Sequence, residues 1–156
     1  MINEELIFYT LAERMADVTW QRPGVGEPVR RFVTMSRRVE LFSDCPAQPA
    51  CYQAEHGDVV SQITGMPYKT ILEAKWIIYQ NVASDPHMLG AVENNLIIEG
   101  CYRALAPRPD DPGFLYERNT LNGLVHHCFI SGNLFKDPGD LDNQGMMVIP
   151  IKLLVP

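Results

Sequence analysis

Residues 69–82, Lys-Thr-Ile-Leu-Glu-Ala-Lys-Trp-Ile-Ile-Tyr-Gln-Asn-Val, constrain the fold most. Leu72, Ala74, Trp76 and Ile78 recur at every second position, with Glu73 and Lys75 between them. That is the period of a β-strand, whose successive side chains point to opposite faces. A strand with one apolar face needs neighbouring strands and a covering layer. Ser84-Asp85-Pro86 ends the strand and opens a helix, with Pro86 suited to the first turn.

The covering layer is legible at the N-terminus. Over residues 4–18, Ile7, Phe8, Leu11, Ala12, Met15 and Val18 fall on one helical face, and Thr10, Glu13, Arg14 and Asp17 on the other. Asn3 is placed to cap this helix, and Glu4 and Glu5 suit its first turn. A second helix is expected over His87–Leu105. Its apolar residues form two groups, Met88, Leu89, Val92 and Leu96 on one side and Ala91, Ile98, Cys101, Tyr102 and Leu105 on another. A helix apolar on two sides is buried on two sides, the second against a loop or another subunit.

Further strands are expected at Ala50–Glu55, Leu124–Ile130 and Met146–Val155. Pro150 inside the last marks an edge strand or a bulge. Residues 21–28, 56–58, 107–113 and 137–145 carry turn formers. Arg30–Phe42 fits neither period, and Cys45–Pro49 must be extended or turning because each Pro restricts the residue before it. The expected fold is therefore α+β: an antiparallel sheet of about four or more strands with two helices packed on one face.

A chain of 156 residues implies one domain, 1–156. The net charge of −6 argues against a protein built to grip nucleic acid, which needs clustered Lys and Arg. The apolar runs at Trp76–Ile78 and Met146–Ile149 are strand-sized, so no membrane span is expected. The opening Met1-Ile2-Asn3-Glu4-Glu5 lacks the basic and apolar regions of a signal peptide, which points to synthesis in the cytoplasm. Cys45, Cys51, Cys101 and Cys128 form no C-x-x-C pair and are expected as free, mostly buried thiols.

Catalytic and cofactor motifs are missing from the sequence. None of G-x-S-x-G, H-E-x-x-H, the phosphate-binding P-loop or the dinucleotide fingerprint occurs. In His126-His127-Cys128, only His126 and Cys128 can share a strand face, and no second ligand pair stands at zinc spacing. Ordinary strand packing is the expectation, and neither metal nor cofactor is expected. Asp137, Asp140 and Asp142 depart from calcium-loop spacing and read as a solvated hairpin. Arg30, Arg31, Arg37 and Arg38 are the one basic concentration; Arg37-Arg38 suits a solvated face, or contact with an acidic partner or phosphate.

Taken in order, several stretches resemble a known family. They are Phe32–Cys45 (Phe-Val-Thr-Met-Ser-Arg-Arg-Val-Glu-Leu-Phe-Ser-Asp-Cys), Pro49-Ala50, Leu72–Val82 and the helix ending Tyr102-Arg103-Ala104-Leu105-Ala106-Pro107. Thr120–Cys128, Lys136–Asp140 and the closing Val148–Pro156 follow. This succession resembles the tail terminator (tail completion) proteins of long-tailed bacteriophages, over nearly the whole chain and most strongly from Thr120 to Pro156.

The resemblance implies a structural virion protein and not an enzyme. It implies an α+β subunit of a hexameric ring, assembled in the host bacterial cytoplasm and located in the virion tail. Such a ring caps the tail tube protein, offers a docking surface to the head–tail connector, and surrounds a channel through which DNA passes without sequence-specific binding. On that basis Arg37, Arg38, Ile98, Tyr102, Met146 and Val148 are candidate interface residues. Asp137, Asp140 and Asp142 are candidates to face the channel, where negative charge would discourage sticking. The alternatives are a head–tail connector (head completion) protein, a small Cys/His metal protein or enzyme, and a monomeric ligand-binding domain.

Overall fold

The computed structural model describes residues 3–61, 69–81 and 90–155, with 56–61 and 69 described by backbone alone. Helix α1 spans Glu4–Glu13 and continues as a 3-10 turn, Arg14–Asp17. The Asn3 side chain accepts the Leu6 N–H at 3.0 Å, giving a partner to a first-turn donor that has none within the helix. Ile7, Phe8, Leu11, Met15 and Val18 are buried, as their spacing predicts. Two residues placed on the polar side are buried as well. Thr10 returns its hydroxyl to the Leu6 carbonyl at 2.7 Å, and the Arg14 guanidinium reaches Asn122 Oδ1 at 3.5 Å.

The chain then makes a small antiparallel pair, β1 (Thr19–Gln21) with β2 (Val29–Arg31). The loop expected at 21–28 is its turn. Trp20 and Phe32 close its inner side, their ring centroids 5.3 Å apart. The ambiguous 30–42 stretch thus divides into β2, a short strand β3 (Thr34–Ser36) and the lead into a 3-10 turn, Phe42–Asp44.

The main sheet has six strands in the order β3-β4-β5-β8-β6, with β7 also paired to β8. Here β4 is Ala50–Ser61, β5 is Lys69–Asn81, β6 is His127–Ile130, β7 is Phe135–Asp137 and β8 is Gln144–Val155. All pairings are antiparallel except β3 with β4, so the sheet is mixed and not purely antiparallel. Residues 37–49 form the crossover that allows this parallel pair. β4 continues past Glu55, and the turn expected at His56–Asp58 is instead an irregularity in register between Glu55 and Asp58.

The last strand corrects the reading of Pro150. β8 is an interior strand, flanked by β5 on one side and by β6 and β7 on the other. The Pro150 carbonyl accepts the Ser131 N–H at 3.1 Å. The N and C=O of a strand residue point the same way, so the missing Pro150 N–H faces the break between β6 and β7. A proline is tolerated where the neighbouring strand is interrupted. Gly132 (φ 121°) crosses that break, where an added Cβ would lie 3.2 Å from the Pro150 ring.

Helix α2 runs from Gly90 to Ala104. The expected Pro86 start, with His87, Met88 and Leu89, lies outside the described residues. The helix has one buried face and not two: Glu93, Asn94, Ile97, Ile98, Gly100, Cys101 and Ala104 are buried, while Ala91, Val92, Asn95, Glu99 and Tyr102 are exposed. It rests chiefly on β1 and the Arg14–Asp17 turn and touches the sheet at β8, so the two helices do not lie side by side across one sheet face. Gly100 makes the close approach possible, since a Cβ there would meet the Thr19 carbonyl oxygen at 2.6 Å.

One core joins these layers. Leu72, Ala74, Trp76 and Ile78 of β5, together with Met147, Ile149, Ile151 and Leu153 of β8, meet Ile7, Leu11, Ile97 and Cys101 of the helical segments. Polar side chains inside it are partnered, as burial requires. Gln53 donates to the Phe8 carbonyl at 2.9 Å and accepts from the Trp76 indole at 3.1 Å, tying α1 to β4 and β5. Glu93 accepts from the Trp20 indole at 3.0 Å and from Arg22 at 2.5 Å, tying α2 to β1. Gln80 donates to Asn94. No described helix is long and apolar enough to cross a membrane.

Candidate assembly surfaces

The two faces of the sheet differ in kind. Cross-strand partners share a face, so Tyr52, Ile77, Val148 and Phe135 form one row on the side away from the core. Ile71, Leu154 and His127 form another, and Glu73, Lys152 and Phe129 a charged row between them. Tyr52 is buried, Phe135 is exposed, and the other side chains of these rows are partly buried. A small cluster, Ala50, Tyr52 and Tyr79 with Phe42, Cys45, Ile77 and Met146, covers only one end of this face. There the Tyr79 hydroxyl donates to the Glu40 carbonyl at 2.8 Å and Tyr52 to Cys45 Sγ at 3.3 Å.

The candidate interface residues differ in their surroundings. Ile98 is buried within the chain, because α2 turns that side toward the core. Arg37 is committed internally: it grips Glu55 at 2.6 and 2.5 Å and reaches Glu5 at 2.6 Å, joining β4 to the start of α1. Those hydrogen bonds push the Arg37 pKa far up, and the Arg37 hydrogen bond lowers that of Glu5. Met146 is half-buried in the small cluster. Arg38 and Tyr102 are exposed, and Val148 is half-exposed on the open sheet face. Beside Arg38, the edge segment also presents Val33, Met35, Val39 and Leu41 to solvent.

The acidic loop is built by its own carboxylates. Asp137 Oδ1 accepts the Gly139 N–H at 2.9 Å, and Asp142 Oδ1 accepts the Gln144 N–H at 3.0 Å. Asp137 and Asp142 therefore shape the turn, and Asp140 and Leu141 stand at its tip, Leu141 fully exposed at 102%.

Sequence reasoning missed a run of three exposed apolar side chains. Phe114–Tyr116 is a 3-10 turn whose side chains are 42, 88 and 74% exposed. Buried Asp111 holds it in place. Its carboxylate accepts the Gly113 N–H at 2.8 Å, the Thr120 N–H at 3.0 Å and the Thr120 hydroxyl at 2.6 Å. Burial pushes the Asp111 pKa up, but the Thr120 hydroxyl and the backbone donors outweigh it and hold it below the ordinary value. Asn119 fixes the other limb, donating to the Leu105 carbonyl at 3.1 Å. The available signal was three consecutive large apolar residues between Asp111-Pro112-Gly113 and Asn122-Gly123, following neither the strand nor the helix period.

Next to this turn, a cavity of about 470 Å³ is lined by Arg118, His126, His127 and Leu154. His127 Nδ1 accepts the Asn119 N–H at 3.2 Å, and its ring stacks on Phe129 at 4.8 Å between centroids. Burial first, then the Arg118 charge, lowers the His127 pKa. The Arg118 guanidinium lies 5.9 Å from the Tyr116 ring centroid.

Cys51, Cys101 and Cys128 are buried and free, and Cys45 is half-buried and free. Burial pushes Cys101 and Cys128 up to about 12, far from a reactive thiolate. Among the described residues no three His, Cys, Asp or Glu side chains converge as a metal site. No known family model matches the chain, and no curated protein does either.

Proposed function

We propose that this chain is a structural subunit of a bacteriophage tail, a tail terminator whose copies form a ring that caps the tail tube and receives the head–tail connector. The observation that carries the reading is the Phe114–Tyr116 turn. Three large apolar side chains are held toward solvent by a buried carboxylate network, an arrangement that costs solubility unless a partner covers it. Two further features support it. The outer face of the sheet is only partly covered, and β3, the last strand in the sheet order, carries exposed Met35 with exposed Val33 just before it. The α+β fold is also what the resemblance of Thr120–Pro156 to this family implies. The net charge of −6 suits a ring through which DNA slides without adhering.

The test is binding and imaging of the purified protein with separate partners. Co-sedimentation with tail tube protein, and rings at tube ends in negative stain, are the expected result. Binding to the portal side alone would move the assignment to the head–tail connector.

A further inference from the structure

We infer that copies of this chain join head to tail, the Asp140-Leu141-Asp142 tip of one copy seating in the Arg118–His126–His127–Leu154 cavity of the next. This rests on the ring-subunit reading and gives it a specific contact. The tip offers a fully exposed Leu141 between Asp140 and Asp142. The cavity offers the complement: Leu154 in its wall, with Arg118 and two imidazoles around it. Its volume of about 470 Å³ is ample for one leucine side chain. Tyr116 and Arg118, adjacent at the rim, are the residue types that most often anchor interfaces.

Position decides the mode of association. The tip leads directly into Gln144 at the start of β8, and the cavity lies at Leu154 near its end. Ten strand residues separate them, ~33 Å at a strand's rise. One copy therefore cannot satisfy its own cavity. A contact between two different patches is heterologous, and it propagates into a ring when the rotation closes. This gives the acidic tip to a neighbouring subunit instead of the central channel expected from the sequence. Attraction between the Asp140 and Asp142 carboxylates of the tip and the Arg118 guanidinium at the cavity orients the two patches toward each other.

The experiment uses full-length chains and sedimentation velocity at matched concentrations. Arg118→Glu removes the cavity's charge, and Leu141→Asp removes the tip's apolar anchor; both sites are exposed, and circular dichroism verifies folding. The wild-type chain is expected to assemble beyond a dimer. Each variant alone is expected to associate about 30-fold more weakly or worse, the loss of one anchoring contact. Mixed together, the two variants retain one intact tip and one intact cavity, so they form a two-chain complex and nothing larger. Variants that assemble like wild type would overturn this contact while leaving a ring subunit standing. A wild-type chain that stops at a dimer would overturn the head-to-tail mode. A wild-type chain that stays single, alone and with tube protein, would overturn contact and ring together.

Discussion

The two faces of strand β5 run along the same backbone yet answer to different demands. Leu72, Ala74, Trp76 and Ile78 are excluded from solvent, whereas Ile71, Glu73 and Ile77 are half-buried and Lys75 is exposed. The inner face shares one core with residues of α1, α2 and β1, in which Gln53 ties α1 to β4 and β5 and Glu93 ties α2 to β1. The outer face has apolar rows, a charged row and only a small aromatic cluster over one end. The inner face makes the fold. The outer face, beyond its small Tyr52–Tyr79 cluster, contributes less to the fold, and the part left partly exposed is free to serve contact.

The sharpest way to break that comparison is to truncate matched residues across it. Trp76→Ala is expected to cost about 3–5 kcal/mol, because it opens a large cavity and strips Gln53 of its indole donor. Ile77→Ala, its neighbour on the outer face, is expected to cost ~1 kcal/mol, since half-burial leaves little area to lose. Urea denaturation measures both. Equal losses would mean that the outer face is as much a part of the core as the inner one.

A second pair compares two aspartates. Asp111→Ala leaves buried donors at Gly113 and Thr120 without an acceptor and is expected to cost ~2 kcal/mol. Asp140→Ala, on an exposed tip, is expected to stay within about 0.5 kcal/mol. The same denaturation assay reads both. A neutral Asp111→Ala would remove the claim that the Phe114–Tyr116 turn is held rigidly. Arg37→Gln sits between them: its ion pairs are good in geometry but partly exposed, so a loss of about 1 kcal/mol or less is expected, shrinking in high salt.

What was legible in the sequence follows the same division. The period of residues 69–82 gives the central strand, and that of 4–18 gives α1, because each element buries one continuous stripe. Arg14 escaped notice because its burial depends on Asn122, a residue 108 positions away. The sequence of helix α2 is two-sided because Ala91, Val92 and Tyr102 are apolar, yet the buried face uses Glu93, Asn94 and Gly100. Polarity alone does not reveal that Trp20, Arg22 and Gln80 will supply partners. Pro150 suggested an edge because a sequence does not show that the flanking strand will be broken opposite it. For the candidate surfaces, Asp140, Tyr102 and Arg38 were legible as exposed. The cavity was not, since Arg118 and Leu154 meet only through the pairing of β6 with β8.

The smallest expected effect concerns the rim of that cavity. His127 has a folded pKa below its ordinary 6.5, from burial first and from Arg118 second. Above pH ~6.5 the imidazole is neutral in folded and unfolded chains alike, so its environment costs nothing. As the pH falls below that value, the unfolded chain takes up the proton first, and stability declines until the folded pKa is passed. His127→Asn keeps an acceptor for the Asn119 N–H but does not titrate. Denaturation at pH 8, 6 and 5 should therefore show the wild-type chain losing stability relative to the variant as the solution is acidified. A gap that stays constant across that range would mean that His127 is well solvated in the folded chain. The cavity would then be an open part of the outer surface and not a site that shields its charges.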